Sequence, residues 1–176
     1  MTKQATCEER IRTELESTMD TLRTLFRADS MGLEGGEEWD ADEAYPEKMC
    51  DICGEITECM DFQGWDQNIC KTCLEKLDDL GTFNEYGLCF DYVAAGTFDD
   101  QEQGYFRYQL SYGGPSDEFR FYTDAGRNCY CIEYWFLDWG DGAHRELRDD
   151  DKTLLKQIFG YFEDCGVTDT LLAAAE

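Results

Sequence analysis

The chain has 176 residues, 42% of them hydrophobic and 14% aromatic, which is enough for a packed core in one ordinary domain or two small ones and excludes wholesale disorder. Its 40 acidic and 15 basic residues give a formal charge of −25, which opposes binding to nucleic-acid phosphates and anionic membranes and favours basic partners. No apolar run approaches the ~20 residues of a membrane span, and the N-terminus lacks the apolar region of a signal peptide. We therefore expect a cytoplasmic protein whose ten cysteines are thiols or metal ligands.

The N-terminal segment is predicted to form a helix. Thr6 and Glu9 fit the S/T-x-x-E capping box that begins many helices. An apolar stripe follows at spacings of four and three residues: Ile11, Leu15, Thr18, Leu22 and Leu25. Because the stripe covers only about two heptads, it favours docking on the chain's own core; a homodimer formed through this helix is the alternative.

An acidic segment follows the helix. The residues "MGLEGGEEWDADEAYPEK", 31 to 48, combine glycine, proline and many acids, a composition typical of a linker or an irregular surface arm. Between Asp29 and Asp66 there are 13 acidic residues and one basic residue, Lys48. The negative charge is therefore concentrated around the cysteines of this region.

Four cysteines form the most specific motif of the chain. Cys50 and Cys53 are one C-x-x-C pair and Cys70 and Cys73 are another, with 16 residues between them, a spacing typical of a zinc site. Two such turns present four thiolates to one ion in a tetrahedron. The second pair opens a predicted helix, "TCLEKL", as in treble-clef zinc folds. We predict one structural Zn²⁺ without an open coordination position, and we interpret Cys59, inside the loop, as a spare thiol.

The second half of the chain is predicted to be rich in strands. Four segments contain many aromatic and β-branched residues: "YGLCFDYVA", "GYFRYQLSYGG", "EFRFYTD" and "NCYCIEYWFLDW". Between the last two, "DAGRN" predicts a hairpin turn with positive φ at Gly126. Alternation in the last strand predicts Cys129 and Cys131 on one face with Trp135, and Tyr130 on the other face.

A C-terminal helix is predicted over "DDDKTLLKQIFGYFEDCG", whose apolar stripe would cover the strands. The predicted fold class is α+β: an N-terminal helix, a small treble-clef or zinc-ribbon-like module, and an antiparallel β-meander packed by a C-terminal helix. The predicted domains are residues 1–29 for the N-terminal helix, 30–48 for the acidic linker, 49–81 for the four-cysteine zinc module and 82–176 for the antiparallel α+β domain.

Signals of catalysis are weak. His144 is the one histidine of the chain, and with Asp138 and Asp141 it could form a metal site or an acid–base pair. A polar turn between strand and helix, with Asp141-Gly142 as turn residues, accounts for the same residues. The sequence contains no nucleophile elbow, phosphate-binding loop or dinucleotide fingerprint. We therefore predict no catalytic residues and no enzymatic activity, and an enzyme that uses these three residues is the third alternative.

Two segments, "YGLCFDYVAAGTFDDQEQGYFRYQLSYGGPSDEFRFYTD" and "IEYWFLDWGDGAHREL", resemble a group of proteins without an assigned activity that are carried by bacteriophages, plasmids and bacterial genomes. The resemblance covers residues 86–148 and, loosely, the terminal helix, and its central motif is "QLSYGGPSDEFRFY". It implies a mobile-element setting and a bacterial host cytoplasm, and it transfers no catalytic residues.

The negative charge of the chain and the mobile-element setting that the resemblance implies lead to a functional hypothesis. A metal-braced surface dense in carboxylates is expected to occupy the basic groove of a nucleic-acid-binding defence complex, as an anti-CRISPR or anti-restriction inhibitor that imitates DNA, without itself binding nucleic acid or membrane. The residues expected to bind this partner are Glu37, Glu38, Asp40, Asp42, Glu43, Glu47, Asp51, Glu55, Glu58, Asp61 and Asp66. The alternative is a regulatory or adaptor protein that binds a host protein through the zinc module or a sheet edge.

Overall fold

The structure is a computed structural model that describes residues 5–33, 39–62 and 67–175. The chain divides into two compact units. The first, here called the sheet unit, consists of Met1–Thr18 and Gly87–Glu176; the second, here called the cysteine unit, is Met19–Tyr86. Within the described residues, no helix combines the length and apolar character needed to cross a membrane.

The first helix, α1, is Cys7–Ser30, and its residues belong to both units. Its start is the predicted capping box: the Thr6 N–H donates to Glu9 Oε2 at 2.8 Å, and the Glu9 N–H donates to Thr6 Oγ1 at 3.3 Å. Four of the five residues of the apolar stripe are buried, with Ile11 and Leu22 fully inaccessible, and Leu15 is half-buried. The prediction that the stripe packs on the chain's own core is confirmed, while a homodimer through α1 stays a prediction.

The cysteine unit contains a small antiparallel sheet followed by two helices. The strands lie in the order β1-β2-β3. The bounds are β1 Glu47–Met49, β2 Ile56–Phe62, β3 Gln67–Cys70, α2 Lys71–Leu80 and α3 Phe83–Tyr86. Helix α2 confirms the predicted helix after the second cysteine pair, and it ends at Gly81, which has φ +73° and donates its N–H to the Leu77 carbonyl.

The sheet unit is a five-stranded antiparallel meander in the order β4-β5-β6-β7-β8. The bounds are β4 Cys89–Val93, β5 Tyr105–Gln109, β6 Ser116–Thr123, β7 Cys129–Asp138, β8 Asp141–Glu146, α4 Asp149–Asp164 and α5 Val167–Ala175. The first four strands and α4 confirm the prediction, and the α+β fold class is confirmed with them. The expected polar turn before α4 is wrong, because "DGAHRE" pairs with β7 along its whole length as β8.

Alternation in the strands gives this sheet two different faces. One face is aromatic and packs under α4. The centroid of the Phe159 ring lies 5.4 Å from that of Phe106 and 5.2 Å from that of Phe121. The opposite face, here called the polar face, carries charged and aromatic side chains in register across the strands, namely Asp91, Tyr105, Arg107, Glu118, Arg120, Tyr122, Glu133, Trp135 and His144. The composition of both faces follows from the strand register.

Two local predictions in β7 and in the turn before it are wrong. A bulge in β7 places Cys131 opposite Tyr122 and Cys129 opposite Thr123. Because Tyr122 and Thr123 are neighbours in β6 and point to opposite faces, the two cysteines do not share a face. In the preceding turn the positive φ falls on Arg127, at +66°, and not on Gly126. The Asp124 carboxylate accepts the Gly126 N–H at 2.8 Å and so shapes the turn around its own oxygen.

Candidate metal centre

The first cysteine pair lies in a tight turn between β1 and β2. The Cys50 N–H donates to the Glu55 carbonyl at 2.8 Å, and the Gly54 N–H donates back to the Cys50 carbonyl at 2.9 Å. Gly54 has φ +77°, a conformation that side chains with a Cβ rarely adopt. The glycine directly after the second cysteine therefore permits the turn that brings Cys50 and Cys53 to the same side.

The second pair lies where β3 meets α2. Cys70 is the last residue of β3 and the cap of the helix, and Cys73 lies in the first helical turn. Strand β3 pairs with β2, so the start of α2 is held beside the turn of the first pair. The order of turn, hairpin and helix is that of the treble-clef arrangement expected from the sequence.

The four sulfur atoms converge on one point. All of the Sγ atoms of Cys50, Cys53, Cys70 and Cys73 lie within 4.8 Å of one another, and Cys53 Sγ is 3.9 Å from Cys70 Sγ. A tetrahedral ion with metal–sulfur bonds of about 2.3 Å requires sulfur atoms about 3.8 Å apart. Three of the cysteines are buried and Cys53 is exposed. Among the described residues, no other cluster of His, Cys, Asp or Glu has such a spacing, and this one can hold one metal ion.

Hydrogen bonds favour the thiolate form of Cys50. A hydrogen bond from the Cys73 thiol, together with backbone N–H groups that include the Cys70 N–H at 3.4 Å, lowers the pKa of Cys50 to about 4 against the opposing effect of burial. The Cys73 pKa is raised, because its proton is held by Cys50 and its thiol is buried. Backbone donors that stabilise a thiolate are the outer-sphere contacts that a sulfur-bound metal needs.

Cys59 lies beside the group but outside it. It is opposite Cys70 in the sheet, and its Sγ donates to the Lys48 carbonyl at 3.4 Å. Burial raises the pKa of the Cys59 thiol to about 11, since the charged form would lose its solvation. Cys59 therefore packs as a protonated thiol beneath the sheet.

The predicted partner-binding acids have different environments. Asp51 is half-buried, and its carboxylate accepts the Asn68 N–H at 2.6 Å while its own N–H donates to the Asn68 carbonyl at 2.7 Å, so it fastens the first cysteine turn to β3. Seven of the acids are exposed: Asp40, Asp42, Glu43, Glu47, Glu55, Glu58 and Asp61. Glu37, Glu38 and Asp66 lie outside the described residues.

Pairing of β1 with β2 creates a surface that sequence analysis missed. Glu47 lies directly opposite Glu58, and next to them Met49 lies opposite Ile56. The two apolar side chains are 61% and 75% exposed. The two glutamates were predicted singly, but only the register shows that they oppose each other, and the short three-residue strand β1 gave no alternation from which to infer it.

The structure separates the three residues considered for catalysis. Asp138 forms an ion pair with Arg10 at 2.7 Å, and Asp141 accepts the Cys7 N–H at the start of α1, also at 2.7 Å. His144 lies opposite Trp135 and stacks on it, with ring centroids 4.6 Å apart. Strand register places His144 on the polar face and both aspartates on the other face, so the three do not form a common site.

Fold and site define an α+β protein with a four-cysteine group that can hold a metal ion. No family model matches the chain, and searches of curated proteins and of solved structures return no significant match. The function therefore has to be inferred from the chain's own geometry and charge.

Proposed function

We propose that this chain is an acidic, zinc-stabilised, protein-binding inhibitor from a mobile element. Its cysteine unit occupies the basic groove of a nucleic-acid-binding complex of bacterial defence, as an anti-CRISPR or anti-restriction protein. The observation that carries the proposal is the Glu47–Glu58 pair. Like charges directly opposite each other on a sheet destabilise it, so their presence on an exposed pair of strands is explained by what binds there.

Zinc is the ion that best suits the four-cysteine group. Four thiolates at tetrahedral spacing are a common structural zinc site, and thiolates exclude hard ions such as Mg²⁺ and Ca²⁺. With four protein ligands the ion has no open position, so it stabilises structure and does not bind substrate. Its role is to hold β1, β2 and the start of α2 in place.

The charge is densest in the cysteine unit. Its 68 residues include 18 acidic and five basic ones, a net charge of −13, whereas the 108 residues of the sheet unit carry 22 acidic and ten basic ones, a net charge of −12. Some of the basic residues already pair with acids of the same unit, Lys71 with Glu75 and Lys76 with Asp20. A field of this sign repels nucleic acid and anionic membrane and attracts a cationic protein groove.

The test is capture of the target in the presence of competing polynucleotide. Tagged, zinc-loaded protein is incubated with lysates of bacteria that carry defined restriction or CRISPR nucleases, and retained nucleases are identified and then challenged with DNA or RNA. We expect a nuclease complex to be retained at low salt and displaced by its own nucleic acid. A retained complex that nucleic acid does not displace would contradict groove occupation.

A charge-matched pair of variants sharpens the test. Glu47→Lys with Glu58→Lys should abolish retention, while Glu163→Lys with Asp164→Lys makes the same change of net charge on exposed residues of α4 and should leave retention nearly intact. If both pairs weaken retention equally, the effect belongs to net charge alone and not to the β1–β2 surface.

The adaptor alternative has one observation in its favour, the exposed Met49–Ile56 pair beside the glutamates. An adaptor that binds through this apolar pair would be insensitive to salt and to nucleic acid. Replacement of Ile56 by Thr would then reduce retention more than the two charge reversals.

A further inference from the structure

The polar face of the sheet unit contains a cavity unrelated to the cysteine group. Its volume is about 590 Å³, within the usual range of small-molecule and side-chain binding sites. One wall is the loop between β4 and β5, and the floor is formed by β6 and β7. The lining residues are Phe98, Asp99, Asp100, Gln101, Glu102, Gln103, Arg120, Tyr122 and Trp135.

The wall is an ordered loop. The Gln101 side-chain amide donates to the carbonyls of Ala94 at 3.0 Å and Gln103 at 2.8 Å, and its oxygen accepts the Phe98 N–H at 3.2 Å. From β7, the Tyr130 hydroxyl donates to Gln103 Oε1 at 2.7 Å. The loop is thus closed on itself and fastened to the sheet, which pre-organises the cavity for a ligand.

The aromatic rings of the floor are electron-rich. Glu133 Oε2 accepts both the Tyr122 hydroxyl at 3.0 Å and the Trp135 Nε1–H at 2.9 Å. A carboxylate that accepts from both rings adds negative potential to the aromatic faces, and such rings attract cations. The faces of Trp135 are already used by Arg120 from β6 and by His144 from β8, so the aromatic ring left for a ligand is that of Phe98.

The same surface already binds one guanidinium, that of Arg120. It lies 3.7 Å from the Trp135 ring centroid and 4.7 Å from that of Tyr105, and its Nε is 2.7 Å from Glu118 Oε1. Because Glu118 is buried and compensates Arg120, the charge that a ligand meets is that of Asp99, Asp100 and Glu102. The cavity therefore has a net negative charge together with exposed aromatic surface at Phe98, which is 54% accessible.

We propose that this cavity binds the guanidinium group of an arginine side chain supplied by a protein partner. A guanidinium stacks on an aromatic ring and pairs with carboxylates in a bidentate geometry, and the cavity offers the exposed Phe98 ring beside the loop carboxylates. An ammonium group is a compact, strongly hydrated charge and benefits less from the rings. The site lies in the sheet unit, so it does not depend on zinc or on occupation of a nucleic-acid groove by the cysteine unit.

The test uses small probes on the intact, zinc-loaded protein. N-acetyl-arginine methylamide is titrated while the indole N–H signals of the four tryptophans are followed by NMR. We expect a saturable shift of the Trp135 signal with a dissociation constant of roughly 1–10 mM, the weak range expected of one side chain. The isosteric neutral probe, N-acetyl-citrulline methylamide, should give no saturable shift, and the lysine analogue should bind more weakly than arginine.

Variants locate the site. Phe98→Ala should weaken arginine binding about threefold through the lost ring contact, and Asp99→Asn with Glu102→Gln should weaken it further and reduce its dependence on salt, since only Asp100 of the three carboxylates remains. Tyr112→Ala is the matched control, because Tyr112 is 85% exposed and does not line the cavity, and it should have no effect. Citrulline that binds as well as arginine, or a Trp135 signal that does not move at about 100 mM probe, would overturn the proposal.

Discussion

The two units of this protein are stabilised in different ways. The cysteine unit has strands of three, seven and four residues, and its core contains buried cysteines beside larger apolar side chains such as Ile69 and Leu74. The sheet unit has five strands, and α4 places Phe159 against a layer of phenylalanine rings. A metal ion bound by the four cysteines would add to the limited apolar burial of the smaller unit, while the longer meander is stabilised by its own aromatic core.

The two units also treat acidic residues differently. In the sheet unit, Glu118 is buried at 5% exposure and is compensated by Arg120 at 2.7 Å, with Arg107 3.8 Å away. In the cysteine unit, Glu47 and Glu58 face each other in solvent. Buried charge requires a partner, whereas two like charges opposite each other on exposed strands weaken the strand pairing and remain available to bind a cation.

Removal of the proposed metal ion should cause the largest loss of stability, and that loss should be confined to the cysteine unit. Structural zinc contributes binding free energy on the order of 10 kcal/mol near neutral pH, and folding of a short module depends on it. Treatment with a chelator under reducing conditions should abolish amide hydrogen-exchange protection in β2, β3 and α2 while β5, β6 and β7 keep theirs. Mass spectrometry of exchanged peptides measures both units in one sample.

Cysteine variants provide the control for that experiment. Cys50→Ser removes one sulfur of the group and should lower the metal content below one ion per chain. Cys165→Ser changes an exposed cysteine after α4 and should leave the metal content at one. Protein that contains no metal and keeps full protection in β2 would contradict a metal-dependent cysteine unit.

Truncation of Phe159 should destabilise the sheet unit, which metal removal is expected to leave folded. The ring is 2% exposed and contacts Phe106 and Phe121, so Phe159→Ala should cost about 3–5 kcal/mol of unfolding free energy. Denaturant unfolding followed by near-ultraviolet circular dichroism measures it. The exposed Tyr112→Ala variant should change the free energy by less than about 0.5 kcal/mol. An equal loss in both variants would show that α4 does not cover the sheet.

Glu118→Gln should lower the free energy of unfolding by less, about 2–4 kcal/mol. The change leaves Arg120 without its carboxylate, but Arg107 keeps its ion pair with Asp91 at 2.6 Å. The measurement is denaturant unfolding at low and high salt. The comparison variant is Glu16→Gln, which breaks an exposed helical pair with Arg12 and should change stability by at most about 0.5 kcal/mol. A buried pair is weakly screened, so a Glu118→Gln loss that disappeared at high salt would contradict its burial.

The smallest expected effect is a gain in stability from a substitution at Trp139. Trp139 lies in the β7–β8 turn at φ +44° with 89% of its side chain exposed, and Gly140 follows at φ +85°. Asn-Gly is preferred in such turns, so Trp139→Asn should stabilise the sheet unit by about 0.5 kcal/mol. Trp139→Ala removes the same ring without the asparagine preference and should be less stable than Trp139→Asn in thermal unfolding. If Trp139→Asn instead lowers stability below that of the unmodified chain, the indole contact with Gly114 outweighs the backbone cost.

Local and periodic features were predictable from the sequence. The capping box of α1, the helix after Cys70 and the four aromatic strands depend on neighbouring residues and alternation, and the structure confirms them. Strand β8 was missed because its residues are polar and its pairing with β7 depends on a turn at Trp139 rather than on its own propensity. The faces of Cys129 and Tyr130 were missed because a bulge shifts the alternation.

The amino-acid sequence alone is enough to say which atoms can bind a metal, since two C-x-x-C pairs at this spacing specify sulfur ligands, and it is enough to give the sign and location of the excess charge. Which carboxylates act together depends on the folded chain. Strand register set Glu47 against Glu58 and separated His144 from Asp138 and Asp141, and the cysteine turn brought Asp51 to Asn68. Register depends on pairing between residues distant in the chain, and a shift of one position exchanges the two faces of a strand, so the residues alone do not specify which side chains meet.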